Sequence, residues 1–292
     1  MASVVGSCVA PKGAHGPIPI LSDPKRSEEV PALIRAVFFD LDKTLLDLDG
    51  AYRTATQQVL GPVAVAAGVS LDTLRAALES VWPSLWETVM AGGLSDNEIY
   101  PRWFQTAFEQ AGPRIGHYDS RELAVHYHQC FDTGLKPFPD AVSTLDHLRQ
   151  AHPTVRRAIV TNGMTARQRR RLERSGLAGY FSHVIISEEI GRRKPDAGIF
   201  EIATQCVGVC PTDGLMIGDD PVTDVAGAHA AGMRTAWINR NHTRWPSTLP
   251  VLPHAEFRAL TDLLPLLTAS SARERAGFGT LRGTGCAGTA VD

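Results

Sequence analysis

The sequence predicts an α/β protein, with a parallel sheet carrying helices on both faces and one all-helical segment inserted into it. Three observations predict this. Short apolar runs alternate with stretches of helical period over residues 33–47 and 137–268. The best marked of these runs stop abruptly at polar residues, as strands of an open sheet do where they reach a ligand crevice. From 48 to 136 no strand-like run occurs, and so long a stretch exceeds any ordinary loop.

The elements follow in order. Ala36-Val-Phe-Phe39 is short, rich in Val and Phe, and ends at Asp40, which favours a strand over a helix fragment. Segments Leu71 to Leu85, Glu98 to Gln110 and Arg121 to Cys130 read as helices of the insert. Ala141 to Gln150 places Val142, Leu145 and Leu148 at helical spacing. Arg157-Ala-Ile-Val160 is the second strand, ending at Thr161-Asn-Gly163. Thr165 to Arg174 is a helix with Gly176 as its C-cap. Val184-Ile-Ile-Ser187 is a third strand and Ile199 to Val207 an amphipathic helix. Leu215-Met-Ile217 runs into Gly218-Asp-Asp220, a helix is expected from Thr223 to Ala231, and Thr235-Ala-Trp-Ile238 is a fifth strand. Right-handed crossovers between such strands give a Rossmann-like core.

Residues 1–32 and 269–292 are rich in Gly, Pro, Ser and Thr and read as a flexible N-terminal arm and C-terminal tail. The 292 residues carry a net charge of −2, 43% hydrophobic and 21% charged residues, an ordinary globular balance. That near-neutral charge gives no case for nucleic acid or an anionic membrane as partner. No run reaches the ~18 apolar residues of a membrane span, and the first residues lack the basic and apolar regions of an export signal. A cytoplasmic protein is therefore expected. Its five cysteines form no disulfide framework, and Cys206 and Cys210 lack the further ligands of a zinc site. They read as small apolar filler in a reducing compartment.

The chemistry lies in the polar loops. Along extended backbone, Asp40 and Asp42 would point the same way at the rim of the sheet. Two such carboxylates repel, and a cation or shared proton must settle them. Gly218-Asp219-Asp220 and Asp224 add carboxylates at another strand end. An oxygen-only cluster of this kind selects Mg²⁺. Thr161-Asn162-Gly163 offers a hydroxyl and backbone N–H groups at a helix start, an anion seat. Lys194 stands before Pro195, which biases it toward an extended conformation. As a compact ammonium it bridges carboxylate and phosphate.

Asp40-Leu-Asp-Lys-Thr44, Ala158-Ile-Val-Thr161, Lys194 and Gly218-Asp-Asp-Pro-Val-Thr-Asp224, in this order, resemble the four motifs of the haloacid dehalogenase (HAD) superfamily. The resemblance spans residues 33–268, and the helical insert, 48–136, resembles its C1 cap class. Flanking text resembles flavin mononucleotide phosphatases, pyrimidine nucleotidases and N-acylneuraminate-9-phosphatases. The resemblance implies a Mg²⁺-dependent phosphomonoesterase acting on a small phosphorylated metabolite. Asp40 would be the nucleophile and Asp42 the general acid and base. Mg²⁺ would be held by Asp40, the backbone carbonyl of Asp42, and Asp219. Thr161, the Asn162 N–H and Lys194 would hold phosphate, with Asp224 anchoring Lys194 and Asp220 near a metal-bound water. The resemblance leaves the oligomeric state open.

Asp42 separates the chemistries of this superfamily. Its dehalogenases lack an acid two places after the nucleophile, since a halide leaves without a proton and an alkoxide does not. Leu41 excludes the P-type ATPase motif. A 2-haloacid dehalogenase stays open as the alternative that Asp42 argues against, as do a sugar-phosphate mutase, which shares Asp42, and a non-catalytic binding protein of this fold. Elsewhere, Arg167, Arg169, Arg170, Arg171 and Arg174 read as a solvated helix face. His126 and His128 point apart on a helix and form no metal site. Trp82, Trp86, Trp103 and Phe104 either line a pocket for a planar ring or form the core of the insert.

Overall fold

The computed structural model describes residues 33–277, apart from 113, 116 and 117. The expected N-terminal arm and the chain beyond 277 lie outside the described residues. Two compact units divide the described residues: one takes 33–45, Pro139–Asn162 and 177–277, the other Leu46–Phe138 and Gly163–Gly176. The strands are β1 (Ala36–Phe39), β2 (Arg156–Thr161), β3 (His183–Ile186), β4 (Gly214–Gly218), β5 (Arg234–Ile238) and β6 (Ala255–Phe257). Helices along the chain are α1 (Leu48–Ala55), α2 (Gly61–Ala67), α3 (Leu71–Met90), α4 (Asp96–Ala111), α5 (Ser120–Gly134), α6 (Pro139–Ala151), α7 (Thr165–Arg174), α8 (Ser187–Ile190), α9 (Ala197–Val207), α10 (Gly227–Ala230) and α11 (Leu263–Gly277). None is by itself long and apolar enough to cross a membrane.

The first unit holds one sheet in the order β3-β2-β1-β4-β5-β6, every neighbouring pair parallel. The chain runs outward from β1 to β2 and β3, then returns to the far side of β1 as β4. That reversal opens a crevice beyond the carboxyl ends of β1 and β4, where open α/β sheets bind ligands. Phe39 pairs with Ile159 on one side and Ile217 on the other, so Asp40 emerges between the ends of β2 and β4.

Alternation along the strands builds the core. Ala36, Phe38, Ala158, Val160, Ile185 and Met216 pack with Ile199, Phe200 and Ala203 of α9 and Ala228 of α10. The intervening Val37, Phe39, Leu215 and Ile217 are buried too, so both faces are covered, as parallel sheets require. Burial of a side chain such as Phe38 or Phe200 stabilises by about 1.5–3 kcal/mol each. α9 begins where the Asp196 carboxylate accepts from Gly198 N (2.8 Å) and ends at left-handed Gly208.

In the second unit, Ser70 caps α3 by accepting from Thr73 N (3.0 Å), and Asp119 caps α5 through Arg121 N (2.9 Å). Trp103, Phe104, Tyr127 and Phe131 fill its interior, and the Trp103 indole donates to Leu78 O (2.7 Å). Trp103 and Phe104 are therefore core. Trp82 and Trp86, half-buried, stack with centroids 5.8 Å apart. Leu46 bridges Pro137, and Asp47 N donates to Lys136 O (2.9 Å), so the two ends of the long insert run side by side.

Several expectations need correction. β6 was not expected: three residues in a proline-rich stretch carry too little period to signal a strand. The third strand ends at Ile186, and Ser187 opens α8. The helix expected from Thr223 is a π turn over Pro221–Ala226 followed by α10. α11 runs on to Gly277, into the expected tail. α7 groups with the helical unit, and two of its arginines are not part of a solvated face: Arg167 and Arg171 are 4% and 7% exposed, while Arg169 and Arg170 are half-buried and Arg174 is exposed. Their guanidinium carbons lie 5.4 Å from the ring centroids of Tyr100 and Phe131. Flat cations with apolar stems stack on rings, so arginine density alone does not mean solvent. Cys206 and Cys210 are disulfide-bonded, not filler, while Cys130 is free.

Candidate active site

Asp40 follows β1 directly, and its backbone N–H donates to Ile217 O (2.9 Å), tying the loop to β4. Asp40 is 6% exposed. Lys194 reaches it from the loop before α9: Nζ donates to Asp40 Oδ1 and to Asp224 Oδ1, each at 2.6 Å. Lys194 and Asp224 are 3% and 1% exposed, so three charges form one buried ion cluster.

Local structure aims each of these groups. The Asn162 side chain grips the backbone of Lys194 twice, Nδ2 donating to Lys194 O (2.9 Å) and Oδ1 accepting from Lys194 N (2.8 Å). Asn162 thus positions the lysine, a role its place in the sequence did not reveal. Thr161 is the last residue of β2 and is 1% exposed. After β4, the Asp220 carboxylate caps the π turn, Oδ1 accepting from Val222 N and Thr223 N at 2.8 Å each. Within that turn Val225 N donates to Asp220 O (3.3 Å), five residues back. The wide turn brings Asp224 against Gly218, where an added Cβ would sit 2.2 Å from Asp224 Cγ. Only glycine permits that approach. Asp224 Oδ2 accepts from Asp220 N (3.0 Å).

Asp40, Asp219 and Asp224 each offer a carboxylate oxygen, all within 4.8 Å of one another. Burial pushes the Asp40 carboxyl up to about 7; Lys194 pulls it down, and Asp224 and Asp42 push it up. Asp219, half-buried, is raised well above the usual carboxylate range by burial, Asp40 and Asp224, with Lys43 and Lys194 opposing. Burial also raises Asp224, against Lys194. For Lys194, burial would lower the ammonium, but Asp224 and Asp40 outweigh it and hold it above its ordinary value. Three carboxylates thus gather around one buried ammonium. Close oxygen donors of this kind fit a hard divalent cation.

Sequence reasoning missed the support beneath the first motif. Arg240, just past β5, donates from Nη2 to Thr44 O (3.1 Å) and from Nη1 to Asp140 Oδ2 (2.9 Å). Asp140 Oδ2 also accepts from Leu260 N (2.7 Å). Arg240's position just beyond the carboxyl end of a strand was its only signal. Lys43 was likewise passed over: it adopts a left-handed backbone with φ +63°, a conformation that costs a residue bearing a Cβ about 1–2 kcal/mol.

The family model of the haloacid dehalogenase-like hydrolases matches residues 34–232, a span holding every motif residue named above. The chain belongs to that family. As a haloacid dehalogenase-like hydrolase it is an enzyme of the hydrolase class. It is 32% identical to the glyceraldehyde 3-phosphate phosphatase of Methanopyrus kandleri, over 71% of this chain and 85% of that one. To a pyrimidine 5'-nucleotidase of Streptococcus pneumoniae it is 32% identical over 79% and 94%. Among solved structures, a HAD hydrolase of Bacillus subtilis bound to magnesium superposes with a TM-score of 0.63, at 25% identity, covering 80% of this chain and 99% of that one.

Proposed function

We propose that this HAD hydrolase is a Mg²⁺-dependent phosphomonoesterase that cleaves small phosphorylated metabolites through an aspartyl-phosphate. The observation that carries the reading is the buried Lys194 ammonium between Asp40 and Asp224, beside Asp219. Asp40 attacks phosphorus in line. Asp42 protonates the leaving alkoxide and then takes the proton of the water that cleaves the aspartyl-phosphate. Thr161, the Asn162 N–H and Lys194 hold the phosphate oxygens, and positioning with electrostatics lowers most of the barrier. When bound, Mg²⁺ held by Asp40, Asp219 and the Asp42 carbonyl supplies positive charge against those oxygens. Asp224 already accepts from Lys194 and Asp220 N, which fits it as an anchor better than as a metal ligand. Asp220 spends Oδ1 on its cap; its other oxygen would serve the hydration of the bound ion. The helical unit acts as a C1-type cap that selects the substrate's leaving group.

EDTA should abolish phosphate release from p-nitrophenyl phosphate, and added Mg²⁺ should restore it. Chelator-insensitive activity, or halide release from 2-haloacids, contradicts the reading. A substrate screen starts with triose phosphates and pyrimidine nucleotides, after the relatives' names. Asp42→Asn tests the general acid. In the first, enzyme-phosphorylating step its loss should be about 10²–10⁴-fold on an alkyl phosphate and much smaller on p-nitrophenyl phosphate, whose leaving group needs little protonation, while the later water-cleavage step slows equally for both. Equal losses on both in the first step, read as the burst of released alcohol or nitrophenol, would assign the leaving-group proton elsewhere.

A further inference from the structure

β5 sets an aromatic ring against the acidic loop that follows β4. Trp237 pairs in register with Gly218, the last residue of β4. Asp219 lies past the end of that ladder, where a carbonyl must find another donor. The Trp237 side chain supplies it: Nε1–H donates to Asp219 O (2.8 Å). The N–H of the same peptide unit, on Asp220, donates to Asp224 Oδ2 (3.0 Å). One peptide plane between two carboxylate-bearing residues is thus held from both sides. The ring that holds it is itself fixed. Trp237 is 3% exposed, and Trp245 meets it edge-on, with centroids 5.1 Å apart. Trp245 Nε1 donates in turn to Val251 O (3.1 Å). Lys194 holds the side chains of Asp40 and Asp224, whereas Asp219 is held through its backbone.

We propose that Trp237 is a positioning residue for the metal centre: its indole N–H fixes the Asp219–Asp220 peptide and so keeps the Asp219 carboxylate within reach of those of Asp40 and Asp224. The inference rests on the Mg²⁺-dependent phosphatase reading. Its physical reason is the rigidity of the ion's coordination. Mg²⁺ demands near-ideal octahedral oxygen geometry, so a carboxylate free to swing costs affinity. The groups that orient a metal ligand contribute about 10–100-fold to metal binding. Here the hold is on the ligand's backbone, one step removed from its oxygens, which places the effect at the lower end of that range, about tenfold. The donor is neutral, so it acts on geometry and not on charge.

Two replacements of Trp237 test this: Trp237→Phe, and 3-benzothienylalanine at the same position, which keeps the shape of the indole but carries sulfur in place of the N–H. Trp245→Phe disturbs the packing around Trp237 and leaves its N–H in place. Mg²⁺ is titrated calorimetrically into each metal-free protein, well below its melting temperature. The expected result is Mg²⁺ bound about tenfold weaker in both Trp237 variants and as in the wild type in Trp245→Phe. If the ring serves packing alone, Trp237→Phe melts lower while the benzothienyl isostere binds Mg²⁺ like the wild type, and that outcome overturns the inference. So does Mg²⁺ bound equally weakly in Trp245→Phe, which assigns the effect to packing. Should Trp237→Phe fail to fold, the isostere decides alone. If the wild type itself binds no Mg²⁺, the phosphatase reading falls first and takes this inference with it. If it binds Mg²⁺ and the isostere matches it, only the inference falls.

Discussion

Asp40→Asn loses turnover by about 10⁴-fold or more while keeping its fold. An amide is a poor nucleophile toward phosphorus, and no other carboxylate follows β1 directly. The fold survives because asparagine still offers Oδ1 to the Lys194 ammonium, which Asp40 now meets at 2.6 Å. Burial raises the Asp40 carboxyl from 3.8 to about 7. Between those values the folded state binds more protons than the unfolded chain, so metal-free stability falls as pH rises through that window. Asp219 and Asp224, shifted the same way, add to the slope. Metal-free wild type should therefore melt at a higher temperature at pH near 5 than near 7.5, in the same direction as predicted by linkage, and Asp40→Asn should flatten part of that dependence. Near-wild-type turnover in the variant would remove Asp40 from the chemistry.

Lys194→Met should carry the largest stability cost. It leaves Asp40 and Asp224, 6% and 1% exposed, facing each other without their shared counter-ion. Stranding buried charge in this way costs about 3–5 kcal/mol, seen as a lower urea midpoint, and turnover should collapse with it. Adding Asp224→Asn should recover part of the lost stability, since one stranded carboxylate disappears and the two sites are directly coupled. A loss below about 1 kcal/mol would mean that the ammonium contributes no more than an exposed ion pair.

The groups at the centre of the site were legible because their chemistry restricts where they stand. Asp40, Thr161 and Asp219 each sit at or just past the carboxyl end of a strand, and those strands announce themselves by short apolar runs. Lys194 was legible from the residue type before a proline; its grip by Asn162 was not, since an amide 32 positions away leaves no periodic trace. The tie from Arg240 to Asp140 spans 100 positions and was hidden for the same reason. The π turn at Pro221 escaped notice because a turn of five and a turn of four favour the same residues, and only the need to bring Asp224 against Gly218 distinguishes them. Arg167 and Arg171 were misread because the rings that cover them, Tyr100 and Phe131, come from other helices. Composition reports which side chains are charged but not which surfaces they meet.

The central claim is that phosphate passes through the Asp40 carboxylate. Quenching the enzyme in acid during turnover and mapping its peptides by mass spectrometry tests it most directly. The account predicts a phosphoryl group on the peptide bearing Asp40, formed only with Mg²⁺ present and absent in Asp40→Asn. A phosphoryl group on another residue, or rapid turnover with no phosphorylated peptide in a quench fast enough to catch one, would contradict it.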